Sequence, residues 1–152
     1  MNVEEKQYLS TIYLLKDLFV SYSSITITEE YPQNDLVLPT IALVEKPIYI
    51  SPLELGNRYG KRKRGWIIEV FAQNRQQRDS MTSTILDAIE PGIPVYNYDL
   101  GFPPSVTPPQ IGALRLLPDT LIATPTTVLP ELVEKLYWRT SIKYLTEYES
   151  IT

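Results

Sequence analysis

At 152 residues, 43% of them hydrophobic and 21% charged, with a net charge of −4, the chain is sized for one domain with its own core and is not composed like a disordered segment. It has neither cysteine nor histidine. That excludes a disulfide framework and a thiolate zinc site, and it removes the commonest general base and the commonest transition-metal ligand. No apolar run approaches the ~18 residues of a membrane span. The N-terminus, Met1-Asn-Val-Glu-Glu-Lys6, lacks the basic and apolar regions of a signal peptide. The expectation is a chain folded in a reducing cytosol.

In chain order, residues 4–20 read as a helix, with Tyr8, Ile12, Leu15 and Phe19 on one stripe facing the core and Glu4 and Glu5 favourably placed in the first turn. After a break that holds the extended patch Ile25–Thr28, residues 36–53 read as strand, interrupted at Pro39, Pro47 and Pro52. Such prolines predict an edge strand or two short strands joined by a bend.

Next comes the most unusual stretch, Gly56-Asn-Arg-Tyr-Gly-Lys-Arg-Lys-Arg-Gly65, with five positive charges and no acid. Taking those five from the overall −4 leaves about −9 on the rest of the chain. A basic tip at 58–64 on an acidic body predicts a contact made by Arg58, Lys61, Arg62, Lys63 and Arg64 with a polyanion or with an acidic protein surface. The plainer alternative is a solvated hairpin tip whose charges keep strand edges from associating.

Gly65-Trp-Ile-Ile-Glu-Val-Phe-Ala72 then forms a strand, with Trp66, Ile68, Val70 and Ala72 on one face and Ile67, Glu69 and Phe71 on the other. Asn74 is placed to cap a helix over 75–90, which carries Met81, Ile85, Ala88 and Ile89 at helical spacing and stops at Pro91-Gly92. Residues 93–98 read as a short strand.

Nine of the 13 prolines fall between Pro91 and Pro130, so residues 100–110 should be neither helix nor central strand. They predict an extended arm, with Phe102, Pro103, Pro104, Pro108 and Pro109 as its contact residues, or else a stiff surface connector. Short strands are expected at 112–117 and 120–124 around a Pro118-Asp119 turn, a short helix could open at Pro130, and a last strand is expected over 136–147. The sum is a single α+β domain over 1–152. Its mainly antiparallel sheet has a long basic-tipped hairpin and is packed by an N-terminal and a second helix.

Among the scattered acids, Glu69 lies inside a strand and Asp99 ends one. Neither sits in a calcium-loop or phosphate-cradle pattern, and pairing with Lys or Arg across strands accounts for Glu69 equally well. No catalytic, cofactor-binding or metal site is expected, and hence no enzyme.

The helix, strand pair, strand running directly into a helix at 65–89 and following short strand resemble the tail-terminator and tail-completion proteins of tailed bacteriophages, over roughly residues 1–98. That resemblance implies a structural virion protein assembled in the host bacterial cytoplasm. It would form a homo-oligomeric ring, a hexamer or in some necks a dodecamer, at the head–tail junction. There it caps the tail tube and joins it to the head, between neighbouring neck and tail-tube or sheath proteins, with double-stranded DNA passing through the lumen and no membrane contact. The segment at 100–110 is an addition to the minimal pattern and would serve as an inter-subunit arm. The alternative is a sequence-independent nucleic-acid-binding module using the basic loop, which the pI of about 4.9 and the confinement of basic charge to one loop disfavour.

Overall fold

A computed structural model describes residues 1–22, 25–29, 37–51, 61–126 and 138–151. Helix α1, Val3–Leu18, begins where Asn2 Oδ1 accepts a hydrogen bond from the Glu5 amide at 2.7 Å, satisfying one of the donors that a helix start leaves open. Tyr8, Ile12, Leu15 and Phe19 are all buried, as their spacing predicts. Helix α2, Arg75–Ile89, is capped by Asn74, whose Oδ1 accepts from the Gln77 amide at 2.9 Å, and Gln77 Oε1 reaches back to the Gln73 amide at 2.8 Å. It stops at Gly92, which takes a φ of +109°, a conformation that side chains with a Cβ rarely adopt.

Among the described residues seven strands form one curled sheet: β1 Thr26–Thr28, β2 Thr40–Ser51, β3 Lys61–Phe71, β4 Ile93–Tyr96, β5 Gln110–Leu116, β6 Ile122–Thr126 and β7 Arg139–Ser150. The order is β1-β2-β3-β7-β5-β4, with β6 also paired to β7. The β1–β2 pair is parallel and the others antiparallel, so the sheet is mixed. β2 pairs with β3 from Thr40 opposite Phe71 to Ser51 opposite Lys61, and residues 52–60 between them lie outside the described residues. Where the prolines predict an edge or a break, β2 stays continuous and the register shifts between Glu45 and Ile48, around Pro47. A bulge is where a residue without an N–H costs the ladder least.

β7 organises the far half of the sheet. One edge pairs with β3 over 139–147; the other pairs with β6 over 139–143 and with β5 over 146–150. The Pro118-Asp119 turn sits between those two partners, with the Leu117 amide donating to the Leu145 carbonyl at 2.9 Å and the Leu145 amide donating to Thr120 Oγ1 at 3.2 Å. β5 passes so close to β7 that a Cβ on Gly112 would stand 2.5 Å from the Glu149 carbonyl oxygen. The last strand therefore runs about three residues later than its sequence pattern predicts, and the helix expected at Pro130 lies outside the described residues.

Helices α1 and α2 share one core with the inward face of the sheet, where Trp66, Ile68 and Val70 of β3 meet Ile142 and Tyr144 of β7, Ile12 and Leu15 of α1 and Ile85 and Ile89 of α2. Ile67, Glu69 and Phe71 on the opposite face are buried too. That explains why 66–72 reads as a nearly unbroken apolar run.

Candidate interaction surfaces

The basic stretch is split by strand alternation. Arg58 lies outside the described residues, and Lys61 opens β3 opposite Ser51. Arg62 and Arg64 fall on the face that meets α1, and Lys63 on the other, opposite Glu147. Arg62 is 63% exposed and pairs with the Glu4 carboxylate. Lys63 is half-buried.

Arg64 departs from the expected outward contact. It is buried, its Nη1 donates to the Glu4 carbonyl at 2.8 Å and to Gln7 Oε1 at 3.1 Å, and its guanidinium lies 4.2 Å from the centre of the Trp66 ring. The physical reason is proximity to the first turns of α1, which offer a carbonyl and an amide oxygen, together with an aromatic face two residues along the same strand. Trp66 is itself buried and donates through Nε1 to Thr146 Oγ1 at 2.9 Å, so it is not placed to stack on bases. Tyr144 packs in the same core, where burial pushes its hydroxyl pKa well up, against a smaller opposing effect of Arg64.

Beside this strand end lies a cleft of about 430 Å³, bounded by Glu4 and Gln7 of α1, Arg62 and Arg64 of β3, and Glu147 and Glu149 of β7. Arg115 on β5 answers both β7 acids, with Nη2 at 3.0 Å from Glu147 and Nε at 2.9 Å from Glu149. Glu4 is answered by Arg62, and Glu147 and Glu149 by Arg115, so these charges are already paired. Such a cleft can exchange partners with another charged protein surface, whereas a polyanion would have to break the pairs first.

Residues 100–110 carry no strand until Gln110, as their prolines require, but they do not reach outward as an arm. The segment is closed on its own chain: the Asn97 amide donates to the Pro109 carbonyl and the Gly101 amide to the Tyr98 carbonyl, both at 2.9 Å. The Phe102 ring meets Tyr98 edge-on at 5.2 Å and Tyr13 of α1 at 6.3 Å, and Lys16 Nζ stands 5.8 Å above it. An aromatic ring that can bury against two others holds the segment down. Pro104 and Pro108 are half-buried, and Pro103 and Pro109 face outward. With its ends brought together, this is an Ω-loop rather than a free arm.

The two acids that a carboxylate enzyme would need stand on opposite faces. Glu69, on the face away from α1, accepts from Arg139 Nε at 2.9 Å and Ser141 Oγ at 2.7 Å. Asp99 lies beside α1, with Lys6 Nζ at 3.2 Å and the N-terminal amine at 3.5 Å; the Lys6 hydrogen bond is the main cause that holds its pKa below the usual carboxylate range. Among the described residues no three His, Cys, Asp or Glu side chains are grouped so as to hold a metal, and no helix is long and apolar enough to cross a membrane.

Sequence reasoning missed the pairing of Glu4 and Gln7 with the basic strand. The available signal was their helical spacing in the first turns of α1, but nothing local says which strand α1 crosses. No family model matches the chain, and no curated protein is significantly similar to it.

Proposed function

We propose that the chain is a structural protein of a tailed-phage virion, a neck component that assembles into a homo-oligomeric ring at the head–tail junction and passes DNA through its lumen. The observation that carries this reading is the long β2–β3 pair, whose distal end presents Arg62 and Lys63 from a chain that is otherwise strongly acidic. A ring is built from one contact repeated head to tail, so two different and complementary patches must sit on one subunit. Basic charge at the β3 end and acids elsewhere meet that requirement. The basic-tipped hairpin belongs to this proposal.

The burial of Arg64 and the pairing of Arg62 with Glu4 favour protein over nucleic acid as the partner, because they leave fewer cations free for phosphate. The test is the double variant Arg62→Ser/Lys63→Ser. It is expected to melt within a few degrees of the parent, since surface changes of this kind move stability by about 0.5 kcal/mol. It should also lose assembly with itself or with neck and tube partners. Normal assembly by a folded double variant would sink the reading. Tight, salt-dependent retention of unrelated duplexes by the parent chain would favour the nucleic-acid module instead.

A further inference from the structure

A second surface stands apart from the basic strand end. Between α1 and the Ω-loop runs a groove of about 500 Å³, within the usual range of ligand sites. One wall is a single face of α1, where Tyr13, Leu14 and Leu18 recur at helical spacing. The opposite wall is Pro104, Val106 and Pro108, a stretch stiffened by its own prolines. Tyr96 and Tyr98 line it as well, with ring centres 6.4 Å apart and steeply tilted, and Tyr98 meets Phe102 edge-on. Tyr98, at 1% exposure, closes the floor of the groove, so Tyr13 and Tyr96 are the rings open to a ligand. Ser10 fixes the arrangement by accepting from the Tyr96 amide at 3.0 Å.

Among the described residues the groove has one charged lining residue, Asp17. It is exposed, and among the described residues its carboxylate has no ion-pair partner. It also sits in the last turn of α1, the end at which the helix dipole disfavours negative charge. Among the described residues nothing in the fold is served by an acid there.

We infer that this groove binds an extended, proline-containing peptide segment of a partner protein, with a Lys or Arg of that segment on Asp17. Proline rings pack on tyrosine faces, and a polyproline II ligand loses little entropy on docking because it is already extended. A tyrosine- and proline-lined groove with an acid at one end has the complementary shape and charge for such a ligand. The site shares no residue with the basic strand end, so it stands or falls separately from the ring.

The test is a fluorescence-anisotropy titration of the full chain with a short labelled peptide that carries two Pro-x-x-Pro turns and a terminal arginine. The control peptide has its prolines replaced by Gly and Ser and keeps the arginine. Saturable binding of the first and none of the second is expected. Tyr13→Ala, at a residue 40% exposed, should fold with Phe102 still held by Tyr98, and weaken binding about tenfold through the lost ring in the groove wall. Asp17→Lys removes a charge that its own helix disfavours, so folding is not at risk. It should weaken the arginine peptide about two- to fivefold, the range of an exposed ion pair, and leave an uncharged proline peptide unchanged. No saturation with the parent chain, or equal affinity in the parent and Tyr13→Ala, would overturn the inference. So would a change in the native mass of the protein on Tyr13→Ala, which would make a second copy of the chain the occupant.

Discussion

Trp66→Ala is expected to destabilise the protein by about 3–5 kcal/mol, the usual loss when a large aromatic side chain is removed from a packed core. Trp66 is 1% exposed on the central strand β3, and three separate interactions end on it. Its ring faces the helices within the main apolar cluster, its Nε1 donates to Thr146 Oγ1 on β7, and its face carries the Arg64 guanidinium. Removing the indole leaves a cavity and takes the platform from a buried cation, and the second effect places the loss at the upper end of the range. Trp66→Phe keeps a ring under Arg64 and gives up the N–H bond, for an expected loss of about 1–2 kcal/mol. Urea denaturation measures both. A loss under about 1 kcal/mol for the alanine variant would show that the site collapses around the gap and that Arg64 is held by α1 alone.

Glu69→Ala is the second large effect, expected at about 3 kcal/mol, because it leaves Arg139 without its carboxylate partner on a nearly buried face. The side chains of Glu69 and Arg139 are 7% and 18% exposed. Arg139 also lies 5.2 Å from the centre of the Phe71 ring, a residual partner that holds the loss to the lower end of what a broken buried pair costs. Removing both charges is expected to cost less than removing one: Glu69→Leu/Arg139→Leu should recover most of the loss in the same denaturation experiment. Additive losses from the two single changes would show that the two side chains act independently. The prediction also bears on chemistry. An acid whose removal is rescued by removing its cation contributes to the fold through that pair, as the contacts of Glu69 with Arg139 and Ser141 predict.

The elements most legible in the sequence are those with a complete local code. Helix α1 has its cap at Asn2, its acids in the first turn and the Tyr8-Ile12-Leu15-Phe19 stripe. The β3–α2 passage has alternation through Trp66–Ala72, a cap at Asn74 and a stop at Pro91-Gly92. What was not legible depended on partners distant in sequence. β1 is too short to signal that it would pair in parallel, and Pro47 marks an irregularity in β2 without saying whether the strand breaks or bulges there. β7 is extended by pairing at 146–150 with β5, across some 30 residues of chain. The same limit shaped the sites. Four adjacent cations, Lys61 to Arg64, look alike in sequence; strand alternation turns Lys63 to the other face, and the first turns of α1 and the Trp66 ring make Arg64 an internal residue while Arg62 remains at the surface. Likewise, prolines at 103–109 fix an extended backbone, but whether it reaches out or folds back was decided by Phe102 finding Tyr13 and Tyr98.

The measurement that tests the central claim most directly is the native mass of the particle over rising protein concentration, by light scattering behind a sizing column, with electron microscopy of the largest species. The proposed neck role predicts a closed ring of six or twelve copies around an open channel, lost in Arg62→Ser/Lys63→Ser. A parent chain that stays monomeric at every concentration, or that grows into open chains with no closed species, would contradict it.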